Sequence, residues 1–120
     1  MASEITLQLN FRCINSDYDS GSISVSKQIN QTAQGAHSGI IDVTATATTL
    51  SVGGVTTTGY MFLRNLDTAN TVVYGSTAAG GFEYRLKPGE FALARRNPGI
   101  GQDIKTSSGT AKVQILLLQD

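Results

Sequence analysis

The 120-residue sequence is poor in charge, cysteine, proline and large aromatics: 15% charged residues, one Cys, two Pro and no Trp. Each shortage excludes something. A single cysteine, Cys13, rules out an internal disulfide and any cysteine-rich zinc site. Nine Lys+Arg balance nine Asp+Glu, so the chain has no net field to draw nucleic acid or an anionic membrane towards it, and neither is expected as a partner. The apolar runs Tyr60–Leu63 and Ile115–Leu118 are too short for a transmembrane helix or a signal-peptide core. One His and one Cys cannot supply a nucleophile–base pair or a metal set. No catalytic residue, metal or cofactor is therefore expected, and the chain does not read as an enzyme.

What is abundant is Thr, Ser and Gly, with 14, 11 and 13 copies. Ile5, Leu7, Leu9, Phe11 and Cys13 alternate with polar residues, a period of two that predicts a strand with one face in the core. Asn15–Ser22 reads as a turn-rich loop, and Ile23, Val25 and Ile29 resume the alternation with Lys27 interrupting it. The segment 30–39 is polar and small and reads as a loop. Ile41, Val43, Ala45 and Ala47 alternate with Asp42, Thr44, Thr46 and Thr48, whereas Leu50 and Val52 have the opposite parity. That change predicts a bulge or corner near Thr48–Thr49.

Further strands are expected at Tyr60–Leu63, Val72–Tyr74, Phe82–Leu86, Phe91–Leu93, weakly at Ile104, and at Val113–Leu117. Lys87-Pro88-Gly89-Glu90 has the proline and glycine spacing of a type II turn. Eight to nine short strands with regular turn signals and no helix predict one all-β domain over residues 1–120. The expected fold is an antiparallel β-sandwich, jelly-roll or immunoglobulin-like.

A sandwich strand should be apolar on one face only. Tyr60-Met61-Phe62-Leu63 and Ile115–Leu118 are apolar on both. Leaving such side chains outside forgoes about 1.5–3 kcal/mol each. Either a loop of the same chain such as 75–81 covers them, or a neighbouring subunit does. Tyr60, Met61, Phe62, Leu63, Leu116 and Leu118 are thus the candidate protein interface, or the core beneath it.

Other sites are weaker. Asn15-x-Asp17-x-Asp19 starts like a calcium loop but has Ser20 where glycine is needed and Ser26 in place of the closing Glu, so it reads as a solvated turn. His37 reads as a loop residue and Cys13 as a small buried hydrophobe. Gly53-Gly54 and Gly99-Ile100-Gly101 lack the context of a phosphate loop. Asn30-Gln31-Thr32 is a formal glycosylation sequon expected to be silent. Arg95-Arg96, with Arg85 and Lys87, is diluted by Glu83 and Glu90 and reads as a solvated hairpin edge. Tyr18 and Tyr74 are the platforms available to a glycan-binding sandwich.

The segment Gly59-Tyr-Met-Phe-Leu-Arg-Asn-Leu-Asp-Thr-Ala-Asn-Thr-Val-Val-Tyr-Gly75, followed by Leu86-Lys-Pro-Gly-Glu-Phe91 and the terminal Val113–Asp120, resembles small structural proteins of tailed bacteriophages. The resemblance covers about the second half of the chain, and its motifs are turn and strand punctuation without chemistry. It implies a virion component, either a capsid decoration (cement) protein bridging major-capsid subunits or a tail- or fibre-associated domain. Its implied partners are the major capsid protein or another virion protein, and further copies of itself. It would be made in the host cytoplasm and sit on the capsid surface. The alternative from another class is a host-surface glycan-binding module.

Overall fold

A computed structural model describes residues 4–31, 35–76 and 81–120. All regular structure among these residues is β, and all strand pairing is antiparallel. The chain forms two compact units, Met1–Thr32 and Ala33–Asp120.

In the first unit, Ile5–Phe11 (β1) pairs with Ile23–Ile29 (β4) in unbroken register from Ile5↔Ile29 to Phe11↔Ile23. Between them Ile14–Asn15 (β2) and Tyr18–Asp19 (β3) form a small hairpin where a loop was expected. The side chains of the suspected calcium loop hold this hairpin together. Asn15 Oδ1 accepts from the Asp17 amide at 2.9 Å, and Arg12 pairs with Asp19 at 3.0 Å. The Arg12 guanidinium, and then the Gly21 amide, hold the Asp19 carboxyl below the usual range.

The alternation predicted a strand correctly, but its apolar face is buried only at Ile5 and half-buried at Leu7. Leu9, Phe11, Val25 and Ile23 share one side of a two-stranded ribbon and are all about half exposed. Period two shows which residues share a face, not whether a second layer covers it. Cys13, two residues past the end of β1 at Phe11, is exposed as well and is not the small buried hydrophobe expected.

The second unit is a sandwich of two four-stranded sheets. Its strands are Ala36–Thr44 (β5), Thr48–Thr49 (β6), Thr58–Asn65 (β7), Val72–Ser76 (β8), Tyr84–Leu86 (β9), Phe91–Arg95 (β10), Gln102–Thr106 (β11) and Thr110–Gln119 (β12). One sheet has the order β10-β7-β12-β5 and the other β6-β11-β8-β9. Only the β8–β9 connection stays within a sheet; every other one crosses. The parity change at Thr48–Thr49 is such a crossing, with the Leu50 amide bonded to Gln102 O at 2.7 Å in the second sheet.

β5 begins within the segment read as a loop. Ala36–Gly39 pairs with Ile115–Leu118, and His37, opposite Leu117, is a half-buried strand residue beneath the Gly53 turn. Small polar residues hid this strand, because its pairing comes from the long β12. The sequon's Thr32 and most of the loop 75–81 lie outside the described residues.

The core joins Val43, Met61, Leu63, Val113, Ile115 and Leu117 of the first sheet to Val72, Tyr74, Leu86 and Ile104 of the second. Asn65 is fully buried among them. Its Nδ2 donates to Asn70 O at 2.9 Å and Leu86 O at 3.1 Å, and its Oδ1 accepts from the Asp67 amide at 3.0 Å. The Asn65 backbone also bonds both ways across to the next turn, from its N to Glu90 O and from Gly89 N to its O. Arg64-Asn65-Leu66-Asp67 and Leu86-Lys87-Pro88-Gly89-Glu90, distant in sequence, therefore form one corner of the sandwich. Gly89 takes φ +80° and the Glu90 amide bonds Lys87 O, as the type II reading requires.

Candidate interaction face

The β10-β7-β12-β5 sheet turns one face to the core and leaves the other uncovered by the second sheet. Strand parity sorts the predicted residues between the two. Met61 and Leu63 point inward and are 5% and 1% exposed, so they are core beneath the face. Tyr60, Phe62, Leu116 and Leu118 point outward and are half-buried.

Pairing register lays these outward residues side by side. Leu93, Phe62 and Leu116 stand in one row across three strands, and Phe91, Arg64, Gln114 and Ile40 in the next. Leu118 lies further along β12, opposite Ala36. Phe91, Leu93 and Ile40 are 66%, 48% and 61% exposed, the most open part of the face. Phe62 and Phe91 meet with ring centroids 6.3 Å apart, a tilted arrangement that rings favour. Burying the remaining area of these three would yield about 1–2 kcal/mol apiece.

Charges frame the patch and are mostly neutralised in place. Arg95 pairs with Asp120 at 2.7 Å and lies 4.6 Å over the Tyr60 ring, and both contacts push its pKa further up. Lys112 pairs with Asp42 at 2.8 Å. Arg64 is exposed between Phe91 and Gln114. An apolar centre with a paired, polar margin is the anatomy of a protein–protein contact.

Phe91, Leu93 and Ile40 were not singled out from the sequence as face residues. The signal was present at β10, where two large residues alternate with Ala92 and Ala94. The intuitive choice puts the large ones inside, but here the alanines face inward and Ala92 packs on the core. Arg95 and Arg96 likewise do not form one solvated edge. Arg95 follows the outward parity, whereas Arg96 follows the inward parity and is 8% exposed. Of the two suggested glycan platforms, Tyr18 is exposed on the ribbon hairpin and Tyr74 is buried. No family model matches this chain, and neither does any curated protein.

Proposed function

We propose that this chain is a structural assembly protein of a tailed-phage particle, acting as a capsid decoration protein. It would bind further copies of itself and major-capsid subunits and stiffen the shell by bridging them. The single observation that carries the structural half of this reading is the outward apolar row Leu93–Phe62–Leu116, flanked by Phe91 and Ile40. A contiguous apolar surface rimmed by polar groups is a contact surface waiting for its partner. The viral half rests on the resemblance of Gly59–Gly75, Leu86–Phe91 and the terminal strand.

Two features support the reading. The motifs of the resemblance converge on the Asn65 corner, so they serve rigidity, and a bridging protein needs a stiff scaffold. The strand orders β10-β7-β12-β5 and β6-β11-β8-β9 also suit a jelly roll, an architecture used in capsids and lectins alike. Fold alone does not assign function, and the uncovered face is what tips the choice towards assembly.

The test is to add the purified chain to undecorated capsids of a phage that encodes it. Stoichiometric binding with a raised capsid melting temperature is expected. Absence of binding, or binding that survives charge substitution at Phe91 and Leu93, would refute the reading.

A further inference from the structure

A second feature lies between the sheets where β10 faces β8, β9 and β11, reaching Leu93 and Arg95 at the margin of the outer face. β10 presents Ala92 and Ala94 inward at this edge. Two methyl groups cannot fill the roughly 10 Å between packed sheets. A cavity of about 460 Å³ remains, with Met61, Tyr74, Tyr84, Ile100 and Gln102 among its walls and Arg96 reaching in from the end of β10. Its size is within the range of small-ligand sites.

The polar groups of this cavity are incomplete. Arg96 is more than nine-tenths buried. Its Nη2 donates to Ile100 O across the Asn97-Pro98-Gly99 turn, but Nε and Nη1 have no acceptor among the described residues. Gln102 Oε1, on the same cavity wall, has no donor among the described residues. Glu83 lines the cavity too and accepts from the Ser76 amide at 3.4 Å, and among the described residues it forms no ion pair with Arg96. Burial pulls the Arg96 pKa down, but an arginine keeps its proton in proteins. A buried cation without a counter-charge is costly, and a partly satisfied polar cluster is the arrangement native proteins avoid unless something completes it.

We propose that this cavity binds a small hydroxylated carboxylate. The carboxylate would accept from Arg96 Nη1–H, and a ligand hydroxyl would donate to Gln102 Oε1. The carbon skeleton would lie against Tyr84, which is 53% exposed and stacks on Tyr74 at 5.1 Å. A bare inorganic anion would satisfy Arg96 but leave Gln102 Oε1 without a donor, and a neutral sugar would do the reverse.

Thermal unfolding of the full chain at constant ionic strength tests this, with sodium glucuronate, glucose and sodium acetate as probes and chloride as the reference. Glucuronate should raise the melting temperature by about 5 °C or more near saturation, and glucose and acetate by much less. Arg96→Met keeps the length of the side chain and removes the charge. It should melt in chloride at or above the wild-type temperature and lose the glucuronate response. Gln102→Glu supplies an internal counter-charge and should behave the same way, so the outcome does not hang on one variant folding. The proposal is overturned if glucuronate leaves the wild type unmoved, if acetate or glucose matches it, or if its effect persists in both variants.

Discussion

Replacing Asn65 by leucine, which keeps the branched outline of the side chain but is bulkier, removes what its amide contributes and adds some overpacking. Three hydrogen bonds are lost, to Asn70 O, Leu86 O and from the Asp67 amide, in a site with no solvent access. A typical net loss is about 1 kcal/mol per bond, and each buried partner left unsatisfied adds to that. The sum is about 3–5 kcal/mol, a large part of the roughly 5–15 kcal/mol available to a domain. Asn65→Asp spares the Asp67 contact but turns an acceptor towards two carbonyl oxygens, and should cost a similar amount at neutral pH. Urea unfolding followed by circular dichroism measures both. A loss under about 1 kcal/mol for Asn65→Leu would mean that the corner is held by the backbone bonds of Asn65 with Gly89 and Glu90, and that the side-chain account is wrong.

Gly89→Ala, at φ +80°, should cost about 1 kcal/mol in the same assay, because only glycine takes that angle without strain. Leu117→Ala should cost about 2–5 kcal/mol as a buried truncation, whereas its neighbour Leu116→Ala should cost under about 1.5 kcal/mol and weaken self-association instead. The amides of Asn70 and Ala69 hold the Asp67 carboxyl below its usual range. Its stabilising effect is therefore present above the unfolded-state value of about 3.9 and fades as pH falls through the lower folded value. Below about pH 4 the wild-type urea midpoint should drop more steeply than that of Asp67→Asn.

Strand existence and the Lys87–Glu90 turn were legible because period-two alternation and Pro-Gly spacing are local signals. The apolar doubling at Tyr60–Leu63 and Ile115–Leu118 was legible as well, and parity then divided it into core and outer face. What could not be read was which layer each face meets. Ile5–Phe11 has a cleaner alternation than any core strand, yet Leu9 and Phe11 are half exposed because the ribbon has only two strands. Ala36–Gly39 carries no β signal of its own and is a strand only because Ile115–Leu118 pairs with it. Arg96 differs from Arg95 by a single step of parity, which depends on where β10 starts.

Sedimentation velocity across a range of protein concentrations, comparing wild type with a Phe91→Glu/Leu93→Glu double variant, decides whether the outer face is an assembly surface. A concentration-dependent oligomer is expected for the wild type and a monomer for the variant, whose circular dichroism shows that it keeps the β fold, since both side chains are about half exposed or more. A wild-type chain that stays monomeric throughout, or a variant that associates equally well, would contradict that expectation.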